Sequence, residues 1–140
     1  MIQQKNLKPG FSLIEIMIVI GIIAVIMAGV FGGVAVMKRA REGTTKTTLR
    51  TLQAAISAFQ TDTGVYPTTL SDLVNRPADE KIGKKWGTGG YLDKEIVNDS
   101  FGNEYVYRVT KGGKQPYELY SYGPNGEGSP EVEWIHVWDL

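Results

Sequence analysis

The chain has 140 residues, with 15 Lys+Arg against 15 Asp+Glu and a formal net charge of zero. That length holds one domain and an appendage, and neutrality argues against a globally basic nucleic-acid binder. With no cysteine and a single histidine, His136, disulfides, thiolate catalysis, zinc fingers, thiolate-bound iron–sulfur clusters and multi-histidine metal sites are excluded.

Residues 1–10 are polar and carry Lys5 and Lys8. Residues 11–37 are apolar with one charge, Glu15, and the 22 residues from Ile16 to Met37 carry none. As a helix they would span about 33 Å, enough for roughly 30 Å of hydrocarbon. The run exceeds the apolar core of a signal peptide, about 7–15 residues, and no small-residue cleavage site follows it. It is therefore expected to be a transmembrane anchor. Lys38, Arg39 and Arg41 follow the run, Lys5 and Lys8 precede it, and the two clusters pull its orientation in opposite directions. Glu15 is costly to bury in an apolar helix. Either it snorkels at the membrane edge, or it meets a positive group on another subunit. A free α-amino group would serve if the chain were cut between Gly10 and Phe11.

The segment KPGFSLIEIMIVIGIIAVI, residues 8–26, resembles the processing signal of type IV pilin-like proteins. Gly10, Phe11, Ser12, Leu13, Ile14 and Glu15 match its pattern in order. The resemblance implies that a membrane-embedded prepilin peptidase cuts after Gly10 and that the new amine on Phe11 is methylated. It also implies that the N-terminus starts in the cytoplasm, that the globular part lies outside, and that Glu15 aids insertion of the subunit into a growing filament.

Leu49, Leu52, Ala55, Ile56 and Phe59 recur at helical spacing and form an apolar stripe. Residues 38–62 are thus an amphipathic continuation of the anchor helix. Gly43, Thr44, Thr45, Thr47 and Thr48 form a weak helical patch, and Gly32 with Gly33 weakens the anchor. Thr63 and Gly64 end the helix, and Tyr66-Pro67 enforces extended backbone. Thr69 or Ser71 caps a short helix through Leu73 and Val74. Residues 75–90 read as a loop. Its basic cluster Lys81, Lys84 and Lys85 is better read as a solvated surface anchored by Trp86 than as a nucleic-acid patch. Residues 105–109 and 117–121 read as strands around the turn 111–114, and residues 133–137 as a third short strand. The expected fold is α+β and pilin-like, with a long N-terminal helix, half transmembrane and half amphipathic, packed on a small antiparallel sheet. Its divisions are a leader at 1–10, the transmembrane and filament-core helix at 11–37, the amphipathic helix at 38–62, and the loop and sheet region at 63–140.

Residues 63–73, 90–107 and 117–134 are similar, in order, to stretches of the major pseudopilins of type II secretion systems. No catalytic constellation stands out: there is no nucleophile elbow and no phosphate loop, and His136 between Ile135 and Val137 reads as packing. The tail is different. Residues 115–140 hold five acidic residues and neither Lys nor Arg, and residues 121–133 form an oxygen-rich loop of a kind that suits calcium. The resemblance implies a calcium site here, with carbonyls of Leu119 and Tyr122 and side chains of Asn125 and Glu133. Asn125 stands where the family has Asp, and Val132 and Glu133 where it has two adjacent Asp residues. Glu131 or Glu127 is left to compensate. The alternative is a calcium-independent loop held by Trp134 and Trp138.

These readings lead to a structural filament subunit of a type II secretion pseudopilus, with no enzymatic role and no required cofactor. Growth of a helical periplasmic filament would push exported proteins through an outer-membrane channel. The implied partners are further copies of the chain, minor pseudopilins, the prepilin peptidase and the inner-membrane assembly platform, without nucleic acid. The expected location is the bacterial inner membrane, single-pass, with the globular domain in the periplasm. A type IV pilin, a competence-type pseudopilin and a monomeric membrane-anchored binding module are the alternatives.

Overall fold

The structure, a computed structural model, describes residues 10–140; Lys5, Lys8 and the rest of the leader before Gly10 lie outside them. The chain divides into two units, Met1–Met37 and Lys38–Leu140. One helix, α1 (Leu13–Thr63), contributes to both.

In the first unit every described residue is exposed, including Phe11, Val25 and Phe31 at 81%, 74% and 71%. A helix apolar on all sides belongs inside a membrane or a larger assembly. It is long and apolar enough to cross a bilayer. The helix is unbroken at Gly32 and Gly33, so their low propensity is outweighed by helical neighbours on both sides.

In the second unit α1 turns one face inward. Leu49, Leu52 and Ile56 are wholly buried and Phe59 nearly so. The threonine-rich patch is helical, and its hydroxyls bond back to the preceding turn. Thr44 donates to the carbonyl of Ala40 at 3.1 Å, Thr47 to Gly43 at 3.0 Å and Thr48 to Thr44 at 3.0 Å. Thr45 is buried and accepts the backbone N–H of Ser100 at 3.3 Å. Tertiary contact here outweighs weak propensity.

After Thr63 the chain passes through Pro67 into a short 3-10 turn, Leu70–Leu73, with Thr69 at its N-cap. The Asp72 carboxylate accepts the N–H groups of Thr68 at 2.8 Å and Thr69 at 3.0 Å, and Leu73 is driven into the core. The stretch read as a loop contains one helical turn, α2 (Glu80–Gly83). The Asp79 carboxylate caps it by accepting from Lys81 N–H at 2.8 Å and Ile82 N–H at 3.3 Å. That signal was present as Asp before a polar turn, but α2 is too short for periodicity to register. Trp86 does anchor this loop, its indole N–H donating to the Asp72 carbonyl at 2.9 Å.

Three antiparallel strands follow, β1 (Val106–Val109), β2 (Tyr117–Ser121) and β3 (Ile135–His136), with β2 in the centre. Val106 faces Tyr120 and Val109 faces Tyr117, while Tyr120 faces His136 and Ser121 faces Ile135. The third strand is shorter than residues 133–137 suggested, because Glu131–Glu133 coils into a 3-10 turn. Tyr117 and Leu119 of β2 meet Leu49, Leu52, Ile56 and Phe59 of α1 in one core with Leu73, Tyr105 and Val137. Burial of the Leu and Phe side chains contributes roughly 1.5–3 kcal/mol each.

Candidate functional site

Two regions hold the residues singled out from the sequence: the N-terminal junction and the loop between β2 and β3. At the junction, Gly10, Phe11 and Ser12 precede α1 in exposed, non-helical chain. The Ser12 carbonyl opens the helix by accepting the N–H groups of Glu15 at 3.0 Å and Ile16 at 3.2 Å. The Gly10–Phe11 bond therefore lies in accessible, non-helical backbone just outside a helix. Glu15 falls in the first turn of α1, where the N-terminal end of the helix dipole favours a negative charge. Its side chain is in neither of the two ion pairs found among the described residues.

The β2–β3 loop is built from aromatic rings and short polar bridges. The Trp134 ring stacks on Tyr120 with centroids 4.8 Å apart and planes 5° from parallel. Tyr122 meets both edge-on, at 5.5 Å and 5.1 Å. The Trp134 indole N–H donates to the Ser129 carbonyl at 3.0 Å. Trp138 donates to the Tyr117 carbonyl at 2.9 Å and packs its ring 5.0 Å from Tyr117. His136 lies 5.0 Å from Tyr120, as a packing residue of β3. Burial raises the Tyr120 phenol above its ordinary value, and the neighbouring Tyr122 adds to the shift.

A buried polar chain holds the loop's base. The Asp99 carboxylate accepts the N–H groups of Phe101 at 2.8 Å and Asn103 at 2.9 Å and the hydroxyl of Ser121. Ser121 in turn accepts the Gly123 N–H at 2.9 Å, and Asn103 donates to the Gly123 carbonyl at 2.9 Å. Sequence reasoning assigned no role to Asp99, Ser121 or Asn103. Their only local sign was an Asp followed two and four residues on by N–H groups it could bind, the pattern of an Asx turn.

Of the residues implied for calcium, the structure joins two. Asn125 donates its side-chain amide to the Glu133 carboxylate at 2.6 Å. The Tyr122 carbonyl accepts the Ser129 hydroxyl at 3.2 Å. Leu119 is fully buried opposite Tyr107 in the sheet, Glu131 is exposed, and Val132 is 90% exposed. Among the described residues no group of three or more His, Asp or Glu side chains converges on a metal position. Even with the carbonyls of Leu119 and Tyr122, one carboxylate and one amide oxygen leave these donors short of the roughly 6–8 oxygens that calcium takes.

Comparison with known proteins adds an independent line. Residues 5–31 match the model of the prokaryotic N-terminal methylation motif, and residues 34–138 match that of type II secretion system (T2SS), protein G. A type II secretion system core protein G of Pseudomonas aeruginosa is 35% identical, over 97% of this chain and 99% of its own. That of Escherichia coli K12 is 34% identical, over 95% and 92%. In three dimensions the chain resembles the crystal structure of the major pseudopilin from the type 2 secretion system of enterohaemorrhagic Escherichia coli. The TM-score is 0.62 at 24% identity, covering 76% of this chain and 94% of that one, a likeness of fold. The methylation motif, the pilin-like helix-on-sheet fold and the near full-length similarity converge: this chain belongs to the type II secretion system protein G family.

Proposed function

We propose that the chain is the repeating subunit of a type II secretion pseudopilus, a helical filament rooted in the inner membrane with its globular units in the periplasm. The observation that carries this reading is the first unit, an apolar segment exposed from Phe11 to Met37 and helical from Leu13. In the monomer that surface is solvated by lipid tails. In a filament it is covered by the same segment of other copies, so one helix serves both environments.

Assembly begins with cleavage between Gly10 and Phe11 and methylation of the Phe11 amine by the prepilin peptidase. Glu15 then accepts the amine of a neighbouring subunit, and the buried carboxylate is neutralised between chains. Minor pseudopilins, the inner-membrane platform and a separate cytoplasmic ATPase supply initiation and energy. The chain's own work is structural, and growth of the filament promotes export through an outer-membrane channel.

Intact mass spectrometry of the protein from native membranes tests the processing step, with sheared-filament yield as the assembly readout. The expected species begins at methylated Phe11. Filaments built from chains that still begin at Met1 overturn the reading.

A further inference from the structure

The loop between β2 and β3 carries a closure of its own. Its two limbs meet where Asn125 donates to Glu133 at 2.6 Å. This bond needs an amide at position 125: an Asp there would set a second carboxylate against Glu133, and like charges so close disfavour joint ionisation. Lys38 and Lys46 of α1 line the same cleft as Glu133, but neither forms an ion pair with it.

Three further observations agree. The backbones already touch, since a Cβ placed on Gly123 would lie 2.6 Å from the Glu133 carbonyl oxygen. The Tyr122 carbonyl and the Trp134 indole are both tied to Ser129. Val132 puts an aliphatic side chain, 90% exposed, beside Glu133, where it can ligate nothing.

We propose that the loop 121–133 is closed by the Asn125–Glu133 amide–carboxylate pair and the Trp134–Ser129 bonds, and folds without a divalent cation. The amide proton occupies the electrostatic role that a calcium ion fills between facing carboxylates. Replacing that amide by a carboxylate therefore restores a need for a cation.

The test uses the full-length chain in detergent, melted by tryptophan fluorescence in millimolar calcium chloride and in chelator. The two wild-type curves are expected to superimpose. Asn125→Asp is expected to melt about 4–8 °C lower in chelator, a shift typical of ~1 kcal/mol in a domain this size, and to recover in calcium by linkage. Glu133→Gln keeps an oxygen for the Asn125 amide and should melt close to wild type in both buffers, whereas Glu133→Leu should melt lower in both. A wild-type melting temperature that rises by several degrees in calcium overturns the proposal, whatever the variants do. Equal melting of Glu133→Gln and Glu133→Leu, or an Asn125→Asp chain as stable as wild type in chelator, overturns the pair.

Discussion

The hydroxyl of Thr45, fully buried on α1, accepts the backbone N–H of Ser100, tying the helix to the turn that carries Asp99. Valine at this position would fill the same space and leave the Ser100 N–H without its partner. Thr45→Val is expected to destabilise the chain by about 1 kcal/mol, the loss of one hydrogen bond to a part-buried donor. The exposed Thr47→Val should change stability by less than ~0.5 kcal/mol. Thermal melts of the two variants check the contrast.

Glu15 should matter to the polymer and not to the fold of the monomer. Glu15→Gln removes a charge that makes no ion pair within the described chain. Membrane levels of the subunit should therefore hold. A neighbour's amine left unpaired in a buried setting costs about 3–5 kcal/mol, so sheared filaments should fall at least tenfold. Quantifying filaments against membrane-inserted subunit separates the two effects.

Gly123 combines a positive φ of 75° with the close approach of the Glu133 carbonyl. Gly128 has a φ of 91° and open space around it. Alanine at Gly128 meets backbone strain alone, about 1–2 kcal/mol. Alanine at Gly123 meets that strain and a clash with backbone, and should lose more than ~2 kcal/mol. Melting the two variants side by side reads the difference.

Tyr105, Tyr107 and Tyr117 are held above the ordinary phenol value of 10.0, in each case chiefly by burial. Because the folded chain holds these protons more tightly than the unfolded chain, their contribution is intact below pH 10 and is lost as pH rises toward their folded values. As far as these phenols decide it, denaturation midpoints should be flat up to about pH 10 and fall above it. Tyr107→Phe loses the bond to the Pro67 carbonyl, 2.9 Å long, costing about 0.5–1.5 kcal/mol at neutral pH. It should also show a shallower alkaline decline, which a pH series of melts would measure.

Much of this architecture was legible in the sequence because it rests on period. The stripe Leu49, Leu52, Ile56 and Phe59 announced the buried face of α1, and the two short β-prone runs around the turn at 111–114 announced β1 and β2. The junction at Gly10, Phe11 and Glu15 was legible as a local word, since its meaning depends on adjacent residues. The β2–β3 loop was not. Asp99 and Ser121 meet across a long stretch of chain, and a bond between distant polar residues leaves no periodic trace. Asn125 and Glu133 were visible as departures from a calcium pattern, while their bond to each other depends on the limbs of a loop that only folding brings together. The helical turn α2 was missed for a plainer reason, as four residues complete little more than one turn.

The core joins Leu49 to Val137, residues near opposite ends of the Lys38–Leu140 unit. During synthesis at roughly 5–20 residues per second, the apolar segment 11–37 emerges seconds before Val137 does. The β2 strand lacks its partner β3 until then, and the helix face lacks the side chain that completes its cover. On the proposed function, the anchor would therefore reach the membrane while the rest of the chain is still open, and the polypeptide would cross the bilayer as a thread rather than as a finished body. The late position of Val137 sets an order: the apolar segment is complete before the fold can close.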